Sequence, residues 1–354
     1  MKIHRHHCRA AVLTLLGFLA LTGCKAYRTS TGQPTVGKAE VTSDQTTIPQ
    51  AQSFADSSRE SYEPTRLITG RLRSIGSDTM DVLVAEWEKK FKTYHPSIAV
   101  THEGRGTSTA IPGLTEGRSD FGPMSRSTRP AEIEKFVARH GYEPVLLATA
   151  IDALAVYVHR DNPIADRGLT LAEVDAIFSS DRRRGAPQDI VTWDQLGLTG
   201  EWANAPITVY SRNKASGTYG FFQENALKKG EFKTSNIELP GSARVVEAVS
   251  NDKFGIGFSG FGYMTDGVRA APLAIEAGLK PIPADETNAV SGLYPLARFL
   301  YLAVNKEPGK PSSPLQQEFF KFIFSAEGQQ VVTNNGFFAV SPKTANEELS
   351  KLDL

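Results

Sequence analysis

The sequence predicts an α/β protein built as two lobes. Two observations carry this expectation. Strand, loop and helix patterns alternate along the chain from about Arg66, an order that argues for α/β layers with mostly parallel sheets. At 354 residues the chain also exceeds a single typical core, so two lobes or domains are expected. Hydrophobic residues at 40%, with Gly and Pro spread along the chain, fit an ordinary globular body apart from the first 65 residues. There is no internal repeat.

The elements follow in order. RLRSIGS reads as a strand, after which Met80, Leu83, Val84, Trp87 and Phe91 fall at helical spacing, with Ser77 or Asp78 placed to cap. SIAVTHE is a second strand and GRGTSTA a small-residue turn before a helix. SDFGPMSR is a short strand running into a helix that starts near Pro130 and stops at Gly141. DALAVYVHR and PITVYSR are the strongest strands of the middle region. Between them, Thr170 and Glu173 form a capping box for LAEVDAIF. Tyr219 to Lys229 is expected as a helix ended by Gly230.

The first residues divide into three parts. MKIHRHHCRA carries Lys2, Arg5 and Arg9 with no acid, and the apolar run AAVLTLLGFLAL is of signal-peptide length. It ends at Leu21, Thr22, Gly23 and Cys24, a pattern that resembles a lipobox, which makes residues 1–23 a signal and Cys24 a lipidation site. After processing no cysteine pair remains, so the mature chain must rest on its core. Residues 24–65 are rich in Ser, Thr, Gln and Pro without a period, and are expected to be a disordered tether.

Composition excludes more than it assigns. Lys plus Arg and Asp plus Glu both count 39, which gives no sign of a nucleic-acid partner. His95, His102, His140 and His159 are isolated and no metal-ligand spacing exists, so no metal is expected. Trp87 and Phe221, Phe222, Phe322 and Phe324 read as core, and the RRR run at 182–184 as a solvated loop.

The stretch RNKASGT, Arg212 to Thr218, points to chemistry. Arg212 ends a strand and SGT opens the next helix, whose first-turn N–H groups carry partial positive charge. Ser216 and Thr218 add hydroxyl donors, Gly217 permits close approach and Arg212 can fork onto two oxygens. That combination makes an anion site. GSDT (Ser77, Asp78, Thr79) repeats the arrangement, and GRGTST (with Gly106 and Thr107) supplies a third donor-rich turn. Any one turn alone is an ordinary N-cap; three with an arginine are expected to converge on one tetrahedral oxyanion.

With these residues in view, the chain resembles the substrate-binding proteins of phosphate-specific ABC transporters, the PstS type. SIGSDTM, EGRGTSTA, RSDFGPMSR, SRNKASGTYGFF, FGIGFSGFGYM, YPLARFLYL and FSAEGQQVVTNNGFFAV occur in family order over about residues 70–342. The resemblance implies a two-lobed periplasmic-binding-protein-like (type II) α/β fold with hinge strands and the ligand between lobes. Residues 66–150 and 295–354 would form lobe 1, and 151–294 lobe 2. It implies Arg212 as the cationic ligand, with Ser216, Gly217, Thr218, Thr107 and the Ser77–Thr79 turn as donors. Arg298 belongs to the family pattern without a readable role.

One departure matters. Where well-known members carry an aspartate that accepts the phosphate's own proton, this chain has Ser125, followed by Arg126. Asp78 is the nearest substitute, with Arg126 as a second cation or as the partner of Asp78; the plainer alternative is a capping Asp78 and a rim ion pair at Arg126. The implied function is extracytoplasmic capture of inorganic phosphate and delivery to an ABC transporter permease and ATPase. It would be carried out by a lipid-anchored monomer with no cofactor, no catalytic residue and no nucleic-acid partner. A secreted phosphomonoesterase with Ser216 or Thr218 as nucleophile, and a phosphate-sensing or adhesion protein, are the alternatives.

Overall fold

The computed structural model describes residues 59–354, so the expected signal, Cys24 and most of the expected tether lie outside the described residues. The last stretch assigned to the tether is instead docked. Arg59 donates to the Phe324 carbonyl at 3.1 Å, the Tyr62 amide to Glu327 at 2.7 Å and the Tyr62 phenol to Glu318 Oε2 at 2.7 Å. Tyr62 is buried against the rings of Phe91, Tyr94 and Phe322. One aromatic residue with matched polar partners is enough to fasten an otherwise polar segment.

Strand β1 (Gly70–Gly76) pairs in parallel with β2 (Ile98–Gly104) across helix α1 (Asp81–Phe91). Then come α2 (Ala110–Thr115), β3 (Gly122–Met124) and α3 (Pro130–His140). As the sequence predicts, α3 opens on proline and stops at Gly141, whose φ of 83° needs no Cβ. Next, β4 (Val145–His159) runs for 15 residues, most of them buried on both faces. After α4 (Ile164–Arg167) and β5 (Leu169–Thr170), the Thr170–Glu173 capping box starts α5 (Leu171–Phe178) as expected.

Strand β6 (Thr208–Arg212) leads into α6 (Gly217–Asn225). This helix starts two residues earlier than the sequence predicts and ends four earlier, because Lys228 and Lys229 both take positive φ. Then follow β7 (Ile237–Leu239), α7 (Ser242–Asn251), β8 (Gly255–Gly260), β9 (Val268–Ala271) and β10 (Leu273–Ala274). The chain closes with α8 (Glu286–Val290), β11 (Ala297–Val304), α9 (Pro314–Phe324), α10 (Ala326–Asn334) and α11 (Pro342–Ser350).

The main sheet has the order β3-β11-β4-β8-β6-β7, with β9 also on β4. The expectation of mostly parallel sheets needs correction. β6 is parallel to β7 and β8, but β4 is antiparallel to β8, β9 and β11, and β11 is antiparallel to β3. The cause lies in the two larger hydrophobic cores, which stand beside a smaller cluster of Ala110, Ile111, Leu114, Met124, Phe136 and Ala303. One gathers residues from Ala153 to Leu296 with Phe338, and the other gathers Tyr62 to Ala150 with Leu300 to Leu352. A chain that leaves one core along β4 and returns along β11 must run these strands in opposite directions. Trp87, Phe222, Phe322 and Phe324 are buried core as the sequence predicts, and Phe222 stacks on Phe258 at 3.8 Å between ring centres.

Candidate functional site

Three helix starts meet beside β4 and β11. β1 ends at Gly76, and Ser77 caps the 3-10 turn Asp78–Met80 by accepting from the Thr79 amide at 3.3 Å. Ser216 caps α6 in the same way, accepting from the Thr218 amide at 3.1 Å. Gly106, at φ 93°, precedes the 3-10 turn Thr107–Thr109 that runs into α2. Small hydroxyl residues suit these positions because first-turn N–H groups have no acceptor inside their own helix.

Side chains join the turns. Ser77 Oγ donates to Ser125 Oγ at 3.0 Å, and the Ser125 amide donates to Thr107 Oγ1 at 3.0 Å. Thr79 Oγ1 and Thr218 Oγ1 lie 2.9 Å apart, across the two cores. The Ser108 amide donates to the Ala215 carbonyl at 3.3 Å, which ties the second turn to the third. Gly106 and Gly217 make this approach possible. A Cβ on Gly106 would stand 2.5 Å from Ala215 O, and one on Gly217 would stand 2.3 Å from Thr107 Oγ1.

Arg212 supplies a fully buried cation. Its NH1 donates to Ser242 Oγ at 2.6 Å, and its NH2 pairs with Asp78 Oδ2. Two polar atoms of this pair, Arg212 Nε and Asp78 Oδ1, are buried without a protein partner among the described residues. A buried polar atom left unmet is costly, so both orphans belong to groups able to take a further ligand. Tyr263 donates to the Thr79 carbonyl at 3.0 Å and braces the first turn; burial pushes its phenol well up.

The structure thus brings together Ser77, Asp78, Thr79, Gly106, Thr107, Ser125, Arg212, Ser216, Gly217 and Thr218. Arg126 is different. Its guanidinium donates to both oxygens of Glu132, at 2.9 and 2.7 Å, and to the Ser127 carbonyl at 2.8 Å. The expected pairing of Arg126 with Asp78 is therefore not made: Glu132, which caps α3, lies nearer, and Arg212 occupies Asp78.

Sequence reasoning missed Ser242 and Asp152 and left Arg298, named only as part of the family pattern, without a role; these three complete the surroundings. Ser242 opens α7 after Gly241, the same small-residue helix start that marked the other turns. Asp152 and Arg298 face each other in register across β4 and β11. Lone opposite charges inside two apolar strands were the available signal. Arg298 Nε and NH2 donate to Asp152 Oδ2 at 3.0 and 2.7 Å, and its guanidinium lies 5.4 Å from the Phe221 ring centre. Burial pulls the Arg298 guanidinium below its ordinary value, with Asp152 opposing.

The remaining candidates are structural. Arg182 pairs with Asp189, Arg183 with Asp181 at 2.8 Å, and Arg184 donates to the Ala226 carbonyl at 2.5 Å. No cluster that could hold a metal occurs among the described residues. No helix there is long and apolar enough to cross a membrane.

Comparison with known proteins matches this architecture. The model of the PBP superfamily domain matches residues 29–327. The chain is 44% identical over 304 residues to the phosphate-binding protein PstS of Pseudomonas aeruginosa, covering 86% of this chain and 94% of that one. A Clostridium perfringens crystal structure with bound phosphate superposes with a TM-score of 0.64 at 25% identity, covering 77% of this chain and 100% of that one. An ABC-type phosphate transport receptor from Vibrio cholerae shares the fold with a TM-score of 0.58 at 18% identity, covering 76% and 100%.

Proposed function

Because this chain belongs to the PBP superfamily domain family, and within it to the PstS-type proteins, we propose that it captures inorganic phosphate and delivers it to an ABC transporter permease. The observation that carries the reading is the meeting of three helix starts, two of them capped by serine, with Arg212 bonded to the first and the Thr79 and Thr218 hydroxyls 2.9 Å apart. Such a set offers many donors and one fixed cation to a tetrahedral anion. Ser77, Thr79, Thr107, Ser125, Arg212, Ser216, Gly217 and Thr218 are the proposed ligands. Lobe 1 takes residues 66–150 and 295–354, lobe 2 residues 151–294, a division supported by the two hydrophobic cores.

Asp78 is the proposed selectivity residue in place of the carboxylate that Ser125 replaces. One of its oxygens is held by Arg212 and the other is free to accept the proton that phosphate keeps and sulfate lacks. Binding is non-covalent. Ser216 Oγ bonds the Thr218 amide, and Thr218 Oγ1 bonds Arg298 and Thr79 Oγ1, and none of these partners is a base that could activate a nucleophile. The chain works outside the cytoplasm as a monomer, anchored by lipid at Cys24.

Uptake of labelled phosphate tests this. Cells lacking the chain should lose high-affinity uptake, and the wild-type gene but not the Arg212→Met variant should restore it. Undiminished uptake without the chain, or phosphomonoester turnover by the purified protein, would contradict the reading.

A further inference from the structure

The charged pair on the two crossing strands touches both walls of the site through one side chain. Arg298 NH1 donates to the Ser125 carbonyl at 2.9 Å, on the wall contributed by the part of the chain between Tyr62 and Ala150. Its NH2 donates to Thr218 Oγ1 at 3.0 Å, on the wall contributed by the part between Ala153 and Leu296. Asp152 holds the guanidinium in place from β4, and is itself fixed by the Phe261 amide at 3.0 Å. Arg298 and Asp152 are both buried.

Hydrogen-bond accounting then constrains the two threonines. A guanidinium only donates, so Thr218 Oγ1 must accept from Arg298. On the other side, Thr79 Oγ1 lies 3.4 Å from Arg212 NH1, which can also only donate. The Thr79–Thr218 pair has two hydroxyl protons and uses one for the bond between them. The second is left over in either direction of that bond, because both flanking groups are donors. It must point to a third acceptor.

We propose that Arg298, held by Asp152, is a positioning residue for the anion site: it makes the Thr218 and Thr79 hydroxyls a net donor toward the bound oxyanion, without touching the anion itself. The same fork joins the Ser125 turn to the start of α6, so it orients the donor only when both walls are in place. Lysine is a poor substitute, since a point charge on a flexible stem does not bridge Asp152, the Ser125 carbonyl and Thr218 together. This inference rests on the phosphate reading.

A double-mutant cycle in the full chain tests it, with phosphate binding followed by calorimetry and, for weak variants, by phosphorus line broadening. Arg298→Lys should weaken phosphate binding about tenfold where residue 218 has a hydroxyl, in wild type and in Thr218→Ser. In Thr218→Val, with no hydroxyl to orient, the same change should cost less than about threefold. Equal losses in all three backgrounds would show a merely structural role and overturn the proposal, as would an unchanged affinity. If thermal melts show that Arg298→Lys does not fold, Arg298→Met combined with Asp152→Leu removes both charges together and enters the same cycle. A wild-type chain that binds no phosphate would overturn the functional reading, and this one with it; a wild type that binds beside an Arg298 variant that binds equally well overturns this one alone.

Discussion

Asp78 and Arg212, 134 residues apart in the chain, form an ion pair in which Asp78 Oδ2 accepts from Arg212 NH2 while Asp78 Oδ1 remains buried without a protein partner. A carboxylate in this position only accepts, so it favours an anion that still carries a proton. Asp78→Asn puts an amide donor there. We expect phosphate affinity to fall about tenfold and sulfate affinity to rise, because an unmatched lone pair is exchanged between the two ligands. Calorimetric titration with both anions checks this; unchanged phosphate affinity with sulfate still rejected sinks the role assigned to Asp78.

Arg212→Lys keeps the charge and loses the fork that reaches Ser242 at 2.6 Å and Asp78 at once. Phosphate affinity should fall at least about tenfold, with further loss in Arg212→Met, where Asp78 is left unpaired. Equal affinity in Arg212→Lys would mean that only the charge matters.

Gly217→Ala brings a methyl group 2.6 Å from Ser125 Oγ and nearer still to Thr107 Oγ1. The turns must move apart. Stability should drop by about 1–3 kcal/mol, as for other overpacked sites, and phosphate binding should weaken with it. Thermal unfolding and titration of one sample report both; an unchanged pair of values would show that the turns are not held this closely.

His95 gives the fold an acid sensitivity. The Tyr62 phenol donates to Glu318, so His95 Nε2 donates to the phenol oxygen at 2.7 Å, and Nδ1 is left buried without a partner. Protonation would place an unmet N–H there, and burial accordingly holds the His95 pKa below its ordinary value. The unfolded chain binds the proton more readily, so stability is full above the unfolded value of about 6.5 and declines as pH falls below it. The melting temperature should drop from pH 7 to 5.5, and His95→Gln, which still donates to Tyr62, should flatten that slope. An equally steep slope in the variant would place the acid sensitivity elsewhere.

Much of the site was legible because its parts are local. Ser77, Ser216 and Gly106 announce themselves by standing between a strand and a helix, and the RNKASGT stretch carries cation, hydroxyls and glycine together. What sequence could not give was pairing at a distance. In the sequence Arg126 is as available to Asp78 as Arg212 is, but Glu132, six residues on in the first turn of α3, holds it. Arg298 and Asp152 are ordinary members of apolar strands until β4 and β11 come into register. The antiparallel course of those strands was hidden for the same reason: a strand-loop-helix rhythm records local alternation, not a chain that crosses between two cores and returns.

The most direct test is titration calorimetry of the purified chain, stripped of bound anion, with phosphate and then with sulfate at neutral pH. The account predicts tight one-to-one phosphate binding with sulfate weaker by orders of magnitude. Absent phosphate binding, or equal affinity for the two anions, would contradict the claim that these converging turns and Asp78 form a phosphate-selective site.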